Sequence, residues 1–261
     1  MSGSAASAPP PSGPAPHPDP RREAARLLDL ARDQGITVRL IGGVAVAEHC
    51  HGQQPEPLRR ACADIDLVGR PQEGRKLRRL LADAGYAPNE RFNAIHGGHR
   101  LLYYDEPHGR QVDVFLGTFK MCHLLDLSGR LSLDPRTLSP ADLLLTKLQV
   151  VELNAKDLTD AASLLLWHEI GGDRAGDVLG LDRLVQVTSR DWGWYTTFSD
   201  NLAKVAAATP EMLPGEQGAV VRGRAEQIGT EIGGAPKSMK WKARSRVGRR
   251  VTWFELPDEV G

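Results

Sequence analysis

Residues 38–69 read VRLIGGVAVAEHCHGQQPEPLRRACADIDLVG, and the order of these residues sets the architecture. The apolar VRLI reads as a short strand running into Gly42 and Gly43, after which VAVAEHCH continues as a helix. Glycine lets a backbone turn sharply and approach a ligand closely, and a new helix presents unpaired N–H groups to an anion. Many turns use such a pair for geometry alone, so its weight comes from the acids on the next strand. About twenty residues on, ADIDLVG alternates around Ile65 and Leu67 as that second strand. Asp64 and Asp66 flank Ile65, so both project from one face, ~7 Å apart.

On the N-terminal side, RREAARLLDLARDQG (21–35) places Ala25, Leu28, Ala31 and Arg32 near helical spacing and stops at Gly35. On the C-terminal side, RPQEGRKLRRLLADAG is an amphipathic helix closed by Gly85. HRLLYYD and RQVDVFLG come next as strands separated by the turn-like EPHG. Asp113 lies on the second of them, between the apolar Val112 and Val114. If these strands are neighbours, three carboxylates converge. They would repel one another and raise each other's pKa, a conflict that a divalent cation removes. Mg²⁺ favours one or two carboxylates plus substrate phosphates. The alternative is that strand-end acids face solvent.

From Ser139 the chain turns helical: SPADLLLTKLQVVEL opens with a serine cap and Pro140 at the first helical position. Lys147 occupies the stripe of Leu143, Leu144, Leu148 and Val151, a charge on an apolar face. Such a lysine either snorkels to water or meets an anion, a nucleotide phosphate or Asp157 and Asp160. Those two acids share a face of the next helix, KDLTDAASLLLWHE, where they could equally favour the helix dipole. Less distinct helices reach about residue 232. Strands with helices first and helices afterwards predict an α/β or α+β part over 21–135, then a helical part over 136–236.

The ends differ in kind. Residues 1–20 hold nothing large to bury and read as a disordered tail. Residues 237–250, KSMKWKARSRVGRR, carry seven basic residues and no acid, and open a basic C-terminal tail, 237–261. The whole chain has 33 basic and 33 acidic residues, so without that stretch 26 face 33 and the remainder is net −7. Zero overall charge argues against a general nucleic-acid coat, but basic residues interleaved with Trp241 offer an RNA contact. The other reading of this tail is a solvated edge, or a strand pair packed on the acidic remainder. No apolar run approaches the ~20 residues of a membrane span, and no secretory signal is visible. Cys50, Cys62 and Cys122 lack CxxC spacing and suit reduced thiols, which points to the cytoplasm.

Other residues read more plainly. His49, Cys50, His51 and Cys62 invite zinc, but residues 49 and 51 of a helix point about 200° apart and no HxxxH completes a site. HGGH (96–99) reads as a turn near the cleft, and DWGWY (191–195) as core packing rather than a stacking platform. No Gly-x-x-x-x-Gly-Lys-[Ser/Thr] is present, so a P-loop is not supported.

LIGG, DIDL and VDVF together resemble the three-part signature of the nucleotidyltransferase superfamily with a polymerase-beta-like fold. The resemblance covers about 36–170 and reaches Lys147 and KDLTDAASLL, similar to a segment of the abortive-infection type IV toxin branch. Arg60 stands four before Asp64, where that branch often has Arg-x-[Ser/Thr]-x-Asp; here Cys62 takes the middle position, and Lys156 replaces a usual arginine. The core is also similar to that of small antibiotic nucleotidyltransferases. The resemblance implies a mixed-sheet core in which Asp64 and Asp66 hold the Mg²⁺ that bridges an NTP triphosphate. Asp113 would share a second metal and orient or deprotonate the attacking hydroxyl, while Gly42 and Gly43 cradle the phosphates. Three functions stand: NMP transfer to RNA or protein by a toxin-like enzyme, of the toxin-antitoxin kind; the same transfer to a small hydroxylated molecule; or non-catalytic nucleotide or RNA binding. Intact Asp64, Asp66 and Asp113 argue against the last.

Overall fold

The computed structural model describes residues 15–172 and 177–256. Helix α1 (Pro20–Asp33) is capped by Asp19, whose side chain accepts from the Arg22 N–H at 2.9 Å. Strand β1 (Val38–Ile41) leads directly into α2 (Gly42–His49). Then come β2 (Ile65–Gly69), α3 (Gly74–Asp83), β3 (Ala87–Pro88), α4 (Glu90–His96), β4 (Arg100–Asp105) and β5 (Arg110–Leu116). A small hairpin, β6 (Thr118–Lys120) and β7 (Leu124–Asp126), precedes α5 (Pro140–Leu148) and α6 (Ala155–Trp167). Strands β8 (Glu169–Gly171) and β9 (Val178–Gly180) are followed by α7 (Leu181–Arg190), α8 (Trp192–Met212), α9 (Glu216–Gly234) and α10 (Met239–Val247).

The main sheet has the order β1-β2-β5-β4-β3. Strands β2 and β5 run parallel; the other neighbours are antiparallel, so the sheet is mixed, as expected. Alternation sends Ile65, Leu67, Val112 and Val114 to one face, where they join a core that also holds Leu27 of α1 and Leu77, Leu80 and Leu81 of α3. The opposite face carries Ile41, Asp66, Asp113 and Phe115, because Ile41 pairs with Asp66 and Asp66 with Asp113. Helix α5 begins where expected, with the Ser139 hydroxyl accepting from the Asp142 N–H.

Several local expectations are corrected. The buried stripe of α1 is Ala24, Leu27, Leu28 and Ala31; Ala25 is half-buried and Arg32 exposed, so the expected stripe is one residue out of phase. Helix α5 stops at Leu148, so Val151 lies beyond it. The seven-residue α4 has no counterpart in the expected pattern, and β8 and β9 interrupt the helical part. The disordered tail falls for residues 1–14 outside the described residues, whereas Pro16 is buried and the His17 and Pro18 carbonyls accept from Arg110. Among the described residues the basic tail forms no strand pair: Ser238 caps α10, and Trp241 packs edge-on against Tyr195 at 5.3 Å. Arg249 pairs with Asp200 at 2.7 Å, and the Trp253 indole donates to Thr197. Among the described residues no helix is long and apolar enough to cross a membrane.

Candidate active site

At the junction of β1 and α2, Gly42 has φ +68°, and a Cβ there would sit 2.0 Å from Asp66 Oδ2. A Cβ on Gly43 would sit 2.0 Å from Arg60 Nη2. Close approach favours glycine at both positions: Gly42, with its left-handed backbone, seats a carboxylate, and Gly43 lies against the end of the Arg60 side chain. No side chain caps the start of α2. Gly42→Ala is expected to cost roughly 1–3 kcal/mol of stability through its left-handed backbone and to displace the Asp66 carboxylate. Thermal melts of the variant measure the cost, and an unchanged midpoint would contradict it.

Asp66 and Asp113 are register partners on the parallel pair β2–β5, so their side chains share a face. Asp66 is half-buried and Asp113 buried. Burial, reinforced by the charges of Asp113 and Asp64, pushes the Asp66 carboxyl up to about 7, against the opposing pull of Lys147 and Arg100. Asp64 is exposed just before β2, and its Oδ1 accepts from the Gln111 N–H at 3.0 Å.

Lys147 does not snorkel. It is buried, and its ammonium lies 2.8 Å from Asp160 and 3.1 Å from Asp157. Burial alone would lower its pKa, but Asp160 and Asp157 outweigh that and hold it above the usual lysine range. Arg60 grips both oxygens of Asp160, at 2.7 and 2.5 Å, a fork geometry. Burial would raise Asp160, yet Arg60 and Lys147 keep it below the ordinary carboxylate range. Asn154 caps α6 through the Asp157 N–H and donates to the Asp157 carboxylate at 2.8 Å. A cavity of about 280 Å³ opens among these groups, lined by Gly42, Asp66, Lys147 and Asp157 with Phe115 and Phe119 among its walls.

The sequence pattern did not single out Arg100. It is buried on β4 and binds Asp113 through both carboxylate oxygens, at 2.8 and 2.5 Å, while its guanidinium stands 5.0 Å from the Phe115 ring centre. The readable signal was the hairpin: EPHG as a turn pairs Arg100 with Phe115, two residues from Asp113 and on the same face. The residues that invited zinc locally lie in different settings. Cys50 is buried, Cys62 half-buried, and His51 lies past the end of α2 with φ 49°, but His49 has partners far away in the chain, His168 and Asp177.

The arrangement places the Asp66 carboxylate next to a glycine turn and a buried ammonium, with Asp113 beside it on the sheet. No curated protein and no solved structure matches the chain. Residues 21–158, just over half of the chain, match the family described as Uncharacterised nucleotidyltransferase. That span contains β1, the glycine turn, β2, β5 and Lys147, and by it the chain belongs to this nucleotidyltransferase family.

Proposed function

We propose that the protein transfers a nucleoside monophosphate from an NTP to a hydroxyl of a macromolecular acceptor, with Mg²⁺ bound at Asp64 and Asp66. The observation that carries this reading is Asp66 in one cavity with the Gly42 turn and Lys147, beside its register partner Asp113. The residues fit the ion: they offer hard oxygen donors, and the Asp66 carboxyl, raised first by burial and then by the charges of Asp113 and Asp64, would gain from a cation beside it. When bound, Mg²⁺ supplies charge neutralisation at the phosphates.

The chain's own residues would do the rest. The uncapped start of α2 offers N–H groups to phosphate oxygens, and Gly42 and Gly43 allow the close approach. Lys147 has three donors; two face Asp157 and Asp160, and the third would serve a phosphate. Arg60, Asp157 and Asp160 hold that ammonium in place. Asp113, fixed by Arg100, keeps lone pairs beyond those in the fork. With these it would share a metal, orient the acceptor hydroxyl and receive its proton. The hydroxyl oxygen bonds to the α-phosphorus, the α–β bridge breaks, and pyrophosphate leaves.

For the acceptor we favour RNA, in a toxin-like role. Lys240, Lys242, Arg246 and Arg250 are exposed on and after α10, whereas Arg249 is spent on Asp200. The test is label transfer from α-labelled NTPs with Mg²⁺ to tRNA, to cell-extract protein, or to small hydroxylated antibiotics. Changing those four exposed residues to Gln should raise KM for RNA about tenfold and flatten its salt dependence, without altering NTP binding. Label on a small molecule alone would replace the RNA reading, and no transfer to any acceptor would end the proposal.

A further inference from the structure

The geometry points to a second metal site, distinct from the cleft: His49, His168 and Asp177 bind one divalent transition-metal ion of the zinc class, with water in the remaining position. His49 is the last residue of α2, at the opposite end from the glycine turn; His168 ends α6, and Asp177 immediately precedes β9. One ligand atom from each can be chosen so that all lie within 4.8 Å of one another.

The hydrogen-bond pattern around the rings singles out these atoms. His49 Nε2 lies 2.9 Å from the Thr137 hydroxyl and 3.0 Å from the Leu138 carbonyl oxygen. A carbonyl only accepts, so Nε2 carries the proton when the ring is neutral. Its Nδ1 is then a lone pair, and it faces Asp177 Oδ1, another acceptor, at 3.4 Å. His168 Nδ1 lies 3.0 Å from the same carboxylate oxygen and 3.0 Å from the Asp177 carbonyl. A proton there would serve those oxygens; His168 is fully buried, and with a proton or an ion on Nδ1 its Nε2 has no partner among the described residues. With both rings neutral, the clash that remains is the His49 Nδ1 lone pair against Asp177 Oδ1, acceptor against acceptor. A cation among the two Nδ1 atoms and Oδ1 resolves the clash of acceptors. Bonds of about 2.1 Å in a tetrahedron give ligand–ligand edges of about 3.4 Å, close to the 3.4 and 3.0 Å present.

The surroundings suit an ion. The carbonyl of Leu138 orients His49 from behind, the usual outer support of a ligating histidine. Two imidazoles with one carboxylate select zinc-like ions over Mg²⁺. Asp177 is exposed, and with His49 it lines an open cavity of about 310 Å³, which gives the ion an entry and a place for water.

The test is calorimetric titration of the chelator-treated full chain with Zn²⁺, in millimolar Mg²⁺ to fill the carboxylate cleft, alongside the visible absorption of the Co²⁺ form. One ion per chain is expected, with affinity falling at least about 100-fold in His49→Gln and in Asp177→Asn, more than loss of an outer partner costs. Asp177→Asn is the safeguard against misfolding, since its side chain is 64% exposed. Asp66→Asn should bind Zn²⁺ as the parent does. Absence of Zn²⁺ binding, or affinity unchanged in His49→Gln and Asp177→Asn, would overturn the site and leave a hydrogen-bonded histidine cluster.

Discussion

Asp66→Asn is expected to lower nucleotidyl transfer by about 100-fold or more while making the protein harder to unfold. The activity loss comes from removing a ligand to an ion worth several kcal/mol at the transition state. The stability gain comes from the raised carboxyl. A group at about 7 when folded and near 4 when unfolded binds more protons in the native state between those values. Native stability therefore falls as pH rises from 4 to 7, and the full penalty is present above 7. Asparagine has no such penalty. Urea titrations without divalent cations should show little difference at pH 4 and a gain of roughly 2 kcal/mol for the variant at pH 8. Adding Mg²⁺ should stabilise the parent and not the variant. A gain that shrinks with rising pH would contradict the origin assigned to it.

Arg100→Met should destabilise by about 3–5 kcal/mol, because it leaves the buried Asp113 without its cation. Methionine keeps much of the contact with Phe92 and Phe115, so the loss reads charge rather than volume. Converting Asp113 to Asn in the same chain removes the stranded charge, and the double variant should recover most of the stability. Denaturant midpoints of the two single variants and the double variant close the cycle. A double variant as unstable as the sum of the singles would mean that the pair is not coupled.

The acids and glycines were legible because each sits where local pattern already restricts its neighbours. Asp113 lies between two valines on a strand, and Asp66 lies two from Asp64, so alternation alone puts them on faces that matter. Their adjacency was not legible until the parallel β2–β5 register was known. Lys147 advertised itself as a charge in a leucine stripe, and its acids were named, yet Arg60 meets Asp160 across 100 residues, a distance no periodicity spans. Helix α10 was hidden for a different reason: none of its residues is buried, so no core-facing stripe marks it, and Ser238, Tyr195 and Trp241 hold it instead. The His49–His168–Asp177 cluster is the extreme case, since the chain near His49 gave only poor local candidates.

Asp160 serves two cations at once, and it stands two residues past the stretch shared with relatives, which closes at residue 158 inside α6. The length over which ancestry is recognisable is thus shorter than the length over which the charges balance. A fragment cut at the boundary of kinship would retain Arg60 and Lys147 but lose the carboxylate that lets them sit side by side. Their mutual repulsion would press toward Gly43 and the cavity rather than be absorbed within it. For this protein, a piece that keeps those charges balanced has to reach past the edge of the family, to that acid and to the shared core that runs on to Ile232.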